Sequence, residues 1–309
     1  MTGELDDGNQ RRAVAAGLAM VAITAVQFVA ARFSLRAHLT SADIASLRFA
    51  GAGLVFVPIM WRMGFAKMRA LGWRRACTLA LLVGFPYPLI INSGLVYAPA
   101  SHAAALCPAS IVLFSFLLSR IVFKDPIPAV RIVGIVMIIG GLLLFVSPAA
   151  GDKGEDHVLY GDALFAVSGI MFSAYSVLLR RWSVDPLSAT AAVAFLSCLP
   201  LPFVHFLAPT GLGAASIMEI GIQMVIQGLL AGAAAIFLYA YAVRQLGPQM
   251  ASLFMPCIPI TTALTGMVVL GEIPTPRQFA AIAIMTAGIA LPWLTRQSAP
   301  APRSAVDTR

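Results

Sequence analysis

The sequence predicts an all-α membrane protein with ten transmembrane helices, arranged as two inverted five-helix repeats. Three observations predict this fold class: an apolar composition, ten apolar segments of membrane-spanning length, and a layout of prolines that recurs along the chain. Hydrophobic residues make up 60% of the 309 residues and charged residues 11%, against roughly 25% charged residues in soluble domains. A soluble protein of this size lacks the interior to bury so much apolar surface. The chain is therefore expected to lie in a lipid bilayer.

Each apolar segment is long enough to cross a hydrocarbon core of roughly 30 Å, which takes about 20 helical residues. The connections are short, which predicts one compact bundle without a soluble domain. A polar N-terminal tail, 1–12, and a C-terminal tail, 296–309, flank the bundle. The predicted spans are 13–33, 43–61, 75–96, 101–122, 127–147, 160–180, 187–207, 217–243, 248–270 and 277–295.

The prolines indicate that the bundle is built from two repeats, 13–147 and 160–295. Five spans per repeat is an odd number, so the second repeat must enter the membrane from the opposite side, as in inverted-topology carriers. A single offset of 148 residues relates Pro108 to Pro256, Pro126 to Pro274, Pro128 to Pro276 and Gly140 to Gly288.

The distribution of basic residues predicts the orientation. If the N-terminus is cytoplasmic, sixteen of the twenty-one Lys and Arg residues fall in cytoplasmic segments, as the positive-inside rule requires. Both termini are then cytoplasmic, and a bacterial-type inner (plasma) membrane is the expected location. The net charge of +8 reflects these short basic loops, so no nucleic-acid partner is predicted.

Enzymatic signatures are missing from the sequence. It has no phosphate-binding Gly-x-x-x-x-Gly-Lys-Ser/Thr loop, no His-Glu-x-x-His and no Gly-x-Ser-x-Gly, so neither ATP-driven pumping nor hydrolysis is indicated. The four cysteines are far apart and are interpreted as small apolar fillers. No catalytic residue, cofactor or metal site is predicted, and an intramembrane enzyme is disfavoured.

Polar side chains at membrane depth are the best guide to a functional site, because they are costly unless they face partners or a water-filled cavity. Such residues on spans 1, 3, 4, 6, 8 and 9 predict a central cavity with amide, hydroxyl and aromatic groups and almost no fixed charge. The candidate substrate-binding residues are Thr24, Gln27, Tyr87, Asn92, His102, Ser168, Tyr175, Tyr239, Gln249 and Ser252.

Several of these residues have a structural alternative. A buried amide such as Gln27 bonds to any neighbouring helix, and His102 is either solvated at a helix end or a titrating group on the pathway. Arg48, at the outer end of span 2, is expected to reach the headgroups. Pro108 and Pro256 are candidate hinges or fixed kinks. Asp and Glu are taken to be absent from the membrane interior, so a carboxylate proton relay is not expected.

Two sequence runs carry a family resemblance: Ser46-Leu47-Arg48-Phe49 at the start of span 2, and Gly271-Glu272-Ile273-Pro274 before span 10. With the ten spans and the inverted repeat, they resemble the drug/metabolite transporter superfamily, in particular its EamA-type exporters. The first repeat departs from the pattern with Phe123-Lys124-Asp125-Pro126. The resemblance implies a ten-helix carrier that moves small metabolites outward, often amino acids or related compounds.

The leading hypothesis is a secondary carrier that exports a small neutral or zwitterionic metabolite, such as an amino acid, by alternating access. The alternatives are a non-transporting membrane scaffold or sensor, and a carrier for another substrate class such as nucleotide sugars or drugs. The expected partners are a small-molecule substrate and the lipid bilayer, with the chain acting as a monomer or homodimer.

Overall fold

The computed structural model describes residues 7–63, 71–124, 129–146, 155–184, 186–207, 209–252, 254–255 and 257–294. All regular structure within these ranges is helical, which confirms the all-α prediction for this part of the chain. The helices of the first half are α1 (Asp7–Ala37), α2 (Ser41–Met63), α3 (Trp73–Val83), α4 (Pro86–Tyr97), α5 (Ala100–Phe123) and α6 (Ala129–Val146).

The second half begins with a long helix and then divides into shorter elements. A π-helical segment, Met224–Ala234, joins two of its helices without a break in the chain direction. The elements are α7 (Glu155–Trp182), α8 (Pro186–Cys198), α9 (Leu201–Leu207), α10 (Ile217–Gln223), the π segment, α11 (Ala235–Ser252), α12 (Cys257–Leu270) and α13 (Pro276–Leu294).

Five helical stretches among the described residues are long and apolar enough to cross a membrane: Asn9–Ala37, Trp73–Tyr97, Ala100–Phe123, His157–Trp182 and Ile217–Tyr239. Shorter apolar helices cover Ala129–Phe145, Ser188–Val204, Cys257–Leu270 and Pro276–Leu291. The apolar composition is thus organised as membrane-compatible helices.

Some helix boundaries differ from those predicted. Span 9 was expected to begin at residue 248, but α11 continues to Ser252 and α12 begins at Cys257. A proline has a fixed φ near the helical value, so it can sit within a helix at the cost of one hydrogen bond. Composition therefore could not show that Pro248 lies within a helix. At the other end, α1 begins at Asp7, within the segment expected to be a tail.

The helices of the two halves pack in matched pairs. Helix α1 contacts α12 and α11, while α7, which the 148-residue sequence offset aligns with α1, contacts α5 and α4. Likewise α2 packs on the π segment, and its equivalent α8 packs on α3. Two further pairs join equivalent helices to each other: α2 with α8, and α6 with α13.

Glycines allow the closest of these contacts. A Cβ atom added at Gly141 of α6 would lie 2.6 Å from Met285 Cγ, and one added at Gly288 of α13 would lie 2.7 Å from Gly134 O. Each helix thus presents a glycine to the other, in antiparallel order. Such small residues let membrane helices approach at the level of the backbone.

Candidate functional site

Arg48 lies seven residues into α2, a rise of about 10 Å from the start of that helix, and it is half-buried. Its Nη1 donates to Gln27 Oε1 of α1 at 3.2 Å. The backbone oxygen of Gln27 in turn accepts from Nε2 of Gln227, in the π segment, at 2.9 Å. The guanidinium therefore bonds to a neighbouring helix, whereas the sequence predicted that it would reach the headgroups.

Aromatic rings continue from this arginine towards the second half. Tyr87 of α4 lies within electrostatic range of Arg48, and its ring centroid is 5.9 Å from that of Phe172 of α7. Phe172 is 5.8 Å from the ring of Tyr175. Tyr175 forms a side-chain hydrogen bond with Thr190 of α8.

Together Gln27, Arg48, Tyr87, Phe172 and Tyr175 form what we call the Arg48 cluster. Three of the predicted residues, Gln27, Tyr87 and Tyr175, belong to it. Among the described residues, Arg48 has Gln27 as its one hydrogen-bond acceptor and no carboxylate within ion-pair distance. The expected cavity with almost no fixed charge is thus corrected: this region contains one cation.

The other predicted residues with described side chains make contacts of a different kind. The Thr24 hydroxyl donates to Met20 O at 2.8 Å, within its own helix. Ser168 is fully buried between α5 and α7, where its hydroxyl donates to Phe165 O at 2.7 Å. Asn92 is buried in α4, and Tyr239 packs against the main hydrophobic core.

Three predictions fall on or near gaps in the described chain. Gln249 and Ser252 were expected to open span 9, but they lie in the last turns of α11, and their side chains lie outside the described residues. Pro256 also lies outside them. Pro108 is half-buried inside the continuous helix α5.

His102 joins three helices at one end of the bundle. It is buried in the first turn of α5, and its Nδ1 is 2.8 Å from Asp162 Oδ1 of α7. Its Nε2 is 3.0 Å from Nε2 of Gln278 in α13, and the Phe145 ring of α6 packs on it edge to face at 4.4 Å. His102, Asp162 and Gln278 form the His102 network. Asp162 is buried within the protein, so a carboxylate takes part in this network, where the sequence predicted none.

Glu272, in the α12–α13 connection, joins further elements at the same end. Its Oε1 accepts from Arg32 Nε at 3.1 Å and from Arg36 Nη2 at 2.6 Å, while Oε2 accepts from the backbone N–H of Ala100 at 3.0 Å. We call this group the Glu272 clasp. Arg32 also donates through Nη1 to the backbone oxygens of Leu95 and, at 2.9 Å, Val96. The clasp therefore ties α1, α4 and α5 to the second half.

Sequence reasoning missed the partners in both groups. Arg32, Asp162 and Glu272 sit near helix ends, where charged side chains are normally assumed to be solvated. One local signal was readable: Thr275 and Gln278 have the spacing of a capping box at the start of α13. No signal along the chain connects Gln278 with His102.

Three cavities lie elsewhere. A cavity of about 310 Å³ between α5, α6, α7 and α13 has Arg120, Arg131 and Arg180 in its lining. One of about 510 Å³ lies between α1, α10 and α12, and one of about 160 Å³ lies beside Asp43. None of these three contains a predicted substrate-binding residue.

Comparison with known proteins yields one family. The model described as the EamA-like transporter family matches residues 11–147 and again 159–293. A transporter of Archaeoglobus fulgidus, named as uncharacterised, is 27% identical over 272 residues, covering 85% of this chain and 91% of the relative. A protein of Streptantibioticus cattleyicolor named "Probable terminal-alkyne amino-acid exporter" is 26% identical over 208 residues, 66% of this chain and 68% of that one.

A solved crystal structure is also similar. Its TM-score is 0.65 at 18% sequence identity, with 94% of this chain and 99% of that chain covered. At this identity the likeness shows a shared fold.

Proposed function

The chain belongs to the EamA-like transporter family, and on that premise we propose that it exports amino acids or related compounds that carry a free carboxylate. The observation that carries the proposal is Arg48: a half-buried cation with no acidic partner among the described residues, bonded to the Gln27 amide and within electrostatic range of Tyr87, the first of three successive aromatic rings. Burying a charge of this kind costs free energy unless a ligand supplies an opposite charge.

The Arg48 cluster has the chemistry to bind a zwitterion. A guanidinium presents parallel N–H donors that match the two oxygens of a carboxylate. The faces of Tyr87, Phe172 and Tyr175 attract an ammonium group by cation–π interaction. In this proposal the substrate carboxylate replaces Gln27 Oε1 at Arg48, and Gln27 then bonds to the bound substrate.

The architecture we propose is ten spans in two inverted repeats, 13–147 and 160–295, operating by alternating access. The two successive matches to the family model, 11–147 and 159–293, support it, as do the matched packing pairs of equivalent helices. Both termini are proposed to be cytoplasmic in the inner membrane, so the end with the Glu272 clasp faces outside. The protein acts as a monomer or homodimer.

The remaining candidate residues keep their proposed roles in this scheme. Thr24, Asn92, His102, Ser168, Tyr239, Gln249 and Ser252 are proposed to line or support the substrate pathway, and Pro108 and Pro256 to act as hinges. The exporter from Streptantibioticus cattleyicolor supports an amino-acid substrate by its name.

The test is a transport assay with the full-length protein in proteoliposomes, using a panel of radiolabelled amino acids and their carboxamide derivatives. We expect exchange of at least one amino acid and loss of exchange for its carboxamide. Arg48→Gln should lower the transport rate by at least about tenfold, because it removes charge-assisted hydrogen bonds to the substrate. Arg48→Lys should retain part of the transport rate.

Arg11→Gln is the matched control, because Arg11 is an exposed arginine in the first turns of α1. It should leave the rate unchanged. Equal transport of an amino acid and its carboxamide by both wild type and Arg48→Gln would refute the role of Arg48.

A further inference from the structure

The contacts of His102 fix its protonation state. Gln278 Oε1 accepts the backbone N–H of Thr275 at 2.8 Å, and Thr275 Oγ1 accepts the backbone N–H of Gln278 at 3.3 Å, which is the reciprocal geometry of a capping box. Because the amide oxygen is engaged by a backbone donor, the amide NH₂ is the group that faces His102 Nε2 at 3.0 Å. Nε2 must then be an acceptor, and Nδ1 carries the proton that is donated to Asp162 Oδ1.

This neutral His102 completes one of two hydrogen bonds described between residues 272–278 and the start of α5. The first is the Glu272 carboxylate on the backbone N–H of Ala100, at 3.0 Å. The second is the Gln278 amide on His102 Nε2. Both contacts link the two halves of the chain at the end closed by the Glu272 clasp.

A proton added to Nε2 removes the second contact. The new N–H would point at the amide NH₂ of Gln278, and two donors cannot bond to each other. Either the amide turns, and Thr275 N–H loses its acceptor, or the start of α13 moves away from α5. The Asp162 carboxylate still accepts from Nδ1 and now faces an imidazolium, so the net charge of the pair changes from −1 to zero. The step forms one N–H bond with a proton from water and needs no other reactant.

We propose that His102 is the coupling-proton site of the carrier: a proton at Nε2 releases Gln278 and favours opening of the Glu272 end, and its loss restores the closed contact. This inference rests on the proposed transport function and names its coupling ion. Its structural basis is the placement of one titratable ring between Asp162 of α7 and the capping residue of α13, both contacts being buried or half-buried.

The groups that face this ring define its charge environment. Asp162 approaches from α7, and Phe145 from α6 is uncharged. Glu272 lies at Ala100 together with Arg32 and Arg36 of α1. Cys107 lies further along α5 within electrostatic range of Asp162, and Arg277 precedes Gln278 in the chain.

The first experiment needs no substrate. The chain has four histidines, so ¹⁵N-histidine NMR of the full-length protein, with His102→Gln for assignment, follows the protonation of His102 directly. We expect Nδ1–H with a bare Nε2 at the alkaline end of the range in which histidine side chains ordinarily titrate, and a second proton on Nε2 at its acidic end. Absence of any change at His102 across this range would overturn the proposal.

Hydrogen–deuterium exchange of residues 275–285 measures the consequence. After correction for the intrinsic pH dependence of exchange, the first turn of α13 should exchange about fivefold faster at the acidic pH. This factor corresponds to the free energy of one lost hydrogen bond. His102→Gln should abolish this dependence, because a glutamine can donate to Asp162 and accept from Gln278 but cannot titrate. The control is His38→Gln: His38 forms an exposed pair with Glu219 at 3.2 Å, and its loss should leave the dependence intact.

The transport arm separates this proposal from the proposed function. In proteoliposomes with an imposed pH gradient, wild type should accumulate an amino acid from the panel, and His102→Gln should lose this gradient-driven accumulation. Amino-acid exchange by wild type that is indifferent to the gradient would refute coupling at His102 and leave the carrier function intact. No transport of any panel member would count against the carrier function, while the NMR and exchange results would still decide whether the proton site exists.

Discussion

Arg32 and Glu272, 240 positions apart in the sequence, form an ion pair at one end of the bundle, with Nε 3.1 Å from Oε1. Each side chain is only 10% exposed. The pair joins the last turns of α1 to the connection before α13, and Glu272 also caps the first backbone N–H of α5. If this end opens during transport, as proposed, this electrostatic link between the two halves must break.

Glu272→Gln should therefore destabilise the protein. The substitution keeps an acceptor for Ala100 N–H but leaves Arg32 as a largely buried cation without its partner, which typically costs about 3 kcal/mol. Thermal unfolding in detergent would measure the loss. Arg36→Gln is the control, because the Arg36 side chain is 45% exposed and such pairs contribute about 1 kcal/mol at most. Equal stability of Glu272→Gln and wild type would show that the clasp is not a stabilising contact.

The aromatic part of the Arg48 cluster can be tested at Tyr87. Tyr87→Phe keeps the ring that contacts Phe172 at 5.9 Å, whereas Tyr87→Ala removes it. If the ring faces hold the substrate ammonium, the Phe variant should transport within about threefold of wild type and the Ala variant about tenfold more slowly. Rates of amino-acid exchange in proteoliposomes provide the measurement. Tyr97→Ala removes an exposed tyrosine that packs on Tyr160 at 5.0 Å, and it should leave the rate unchanged.

The contact between α5 and α7 predicts the effect of a single methyl group. A Cβ added at Gly169 would collide with Ser110 Cβ and lie 3.1 Å from the backbone nitrogen of Ile111. Gly169→Ala should therefore lower stability by about 1–3 kcal/mol, the usual effect of overpacking. Gly140, on α6, has nothing within 4 Å of such a Cβ, so Gly140→Ala should be neutral or stabilising by up to about 1 kcal/mol. The midpoint of thermal unfolding of each variant, compared with wild type, provides the measurement. A lower midpoint for Gly140→Ala than for Gly169→Ala would contradict the packing described.

Asp43 should prove to be a structural carboxylate. Its Oδ2 accepts from the backbone N–H groups of Thr40, at 2.9 Å, and Gly211, at 2.8 Å, while Oδ1 accepts from the Thr210 hydroxyl at 2.8 Å. Asp43→Asn would place an NH₂ group against one of these sets of donors. We therefore expect the free energy of unfolding to fall by about 2 kcal/mol. Unfolding in detergent tests this, with Ser41→Ala as a neighbouring control. Unchanged stability in Asp43→Asn would show that the carboxylate charge is not needed.

Local patterns in the sequence predicted the helical class, most helix positions and the 148-residue offset, because apolar length and proline spacing are properties of short stretches. Gln27, Tyr87 and Tyr175 were identified for the same reason: polar or amphipathic groups at membrane depth stand out from their neighbours. The role of Arg48 was misjudged because its direction depends on Gln27 in another helix. Asp162 and Gln278 were missed because their partner, His102, is contributed from a distant part of the chain. Such pairings arise only when helices are placed in three dimensions.

The contact of α2 with the π segment has a further consequence. A Cβ added at Gly228 would lie 2.5 Å from Gly51 Cα, and one added at Gly51 would lie 2.7 Å from Met224 O. The two backbones thus meet directly at these glycines, with the Met224 side chain close beside them. Any side chain at either position would have to push α2 and the π segment apart. A bulky residue at Gly51 would therefore serve as a wedge between these two elements.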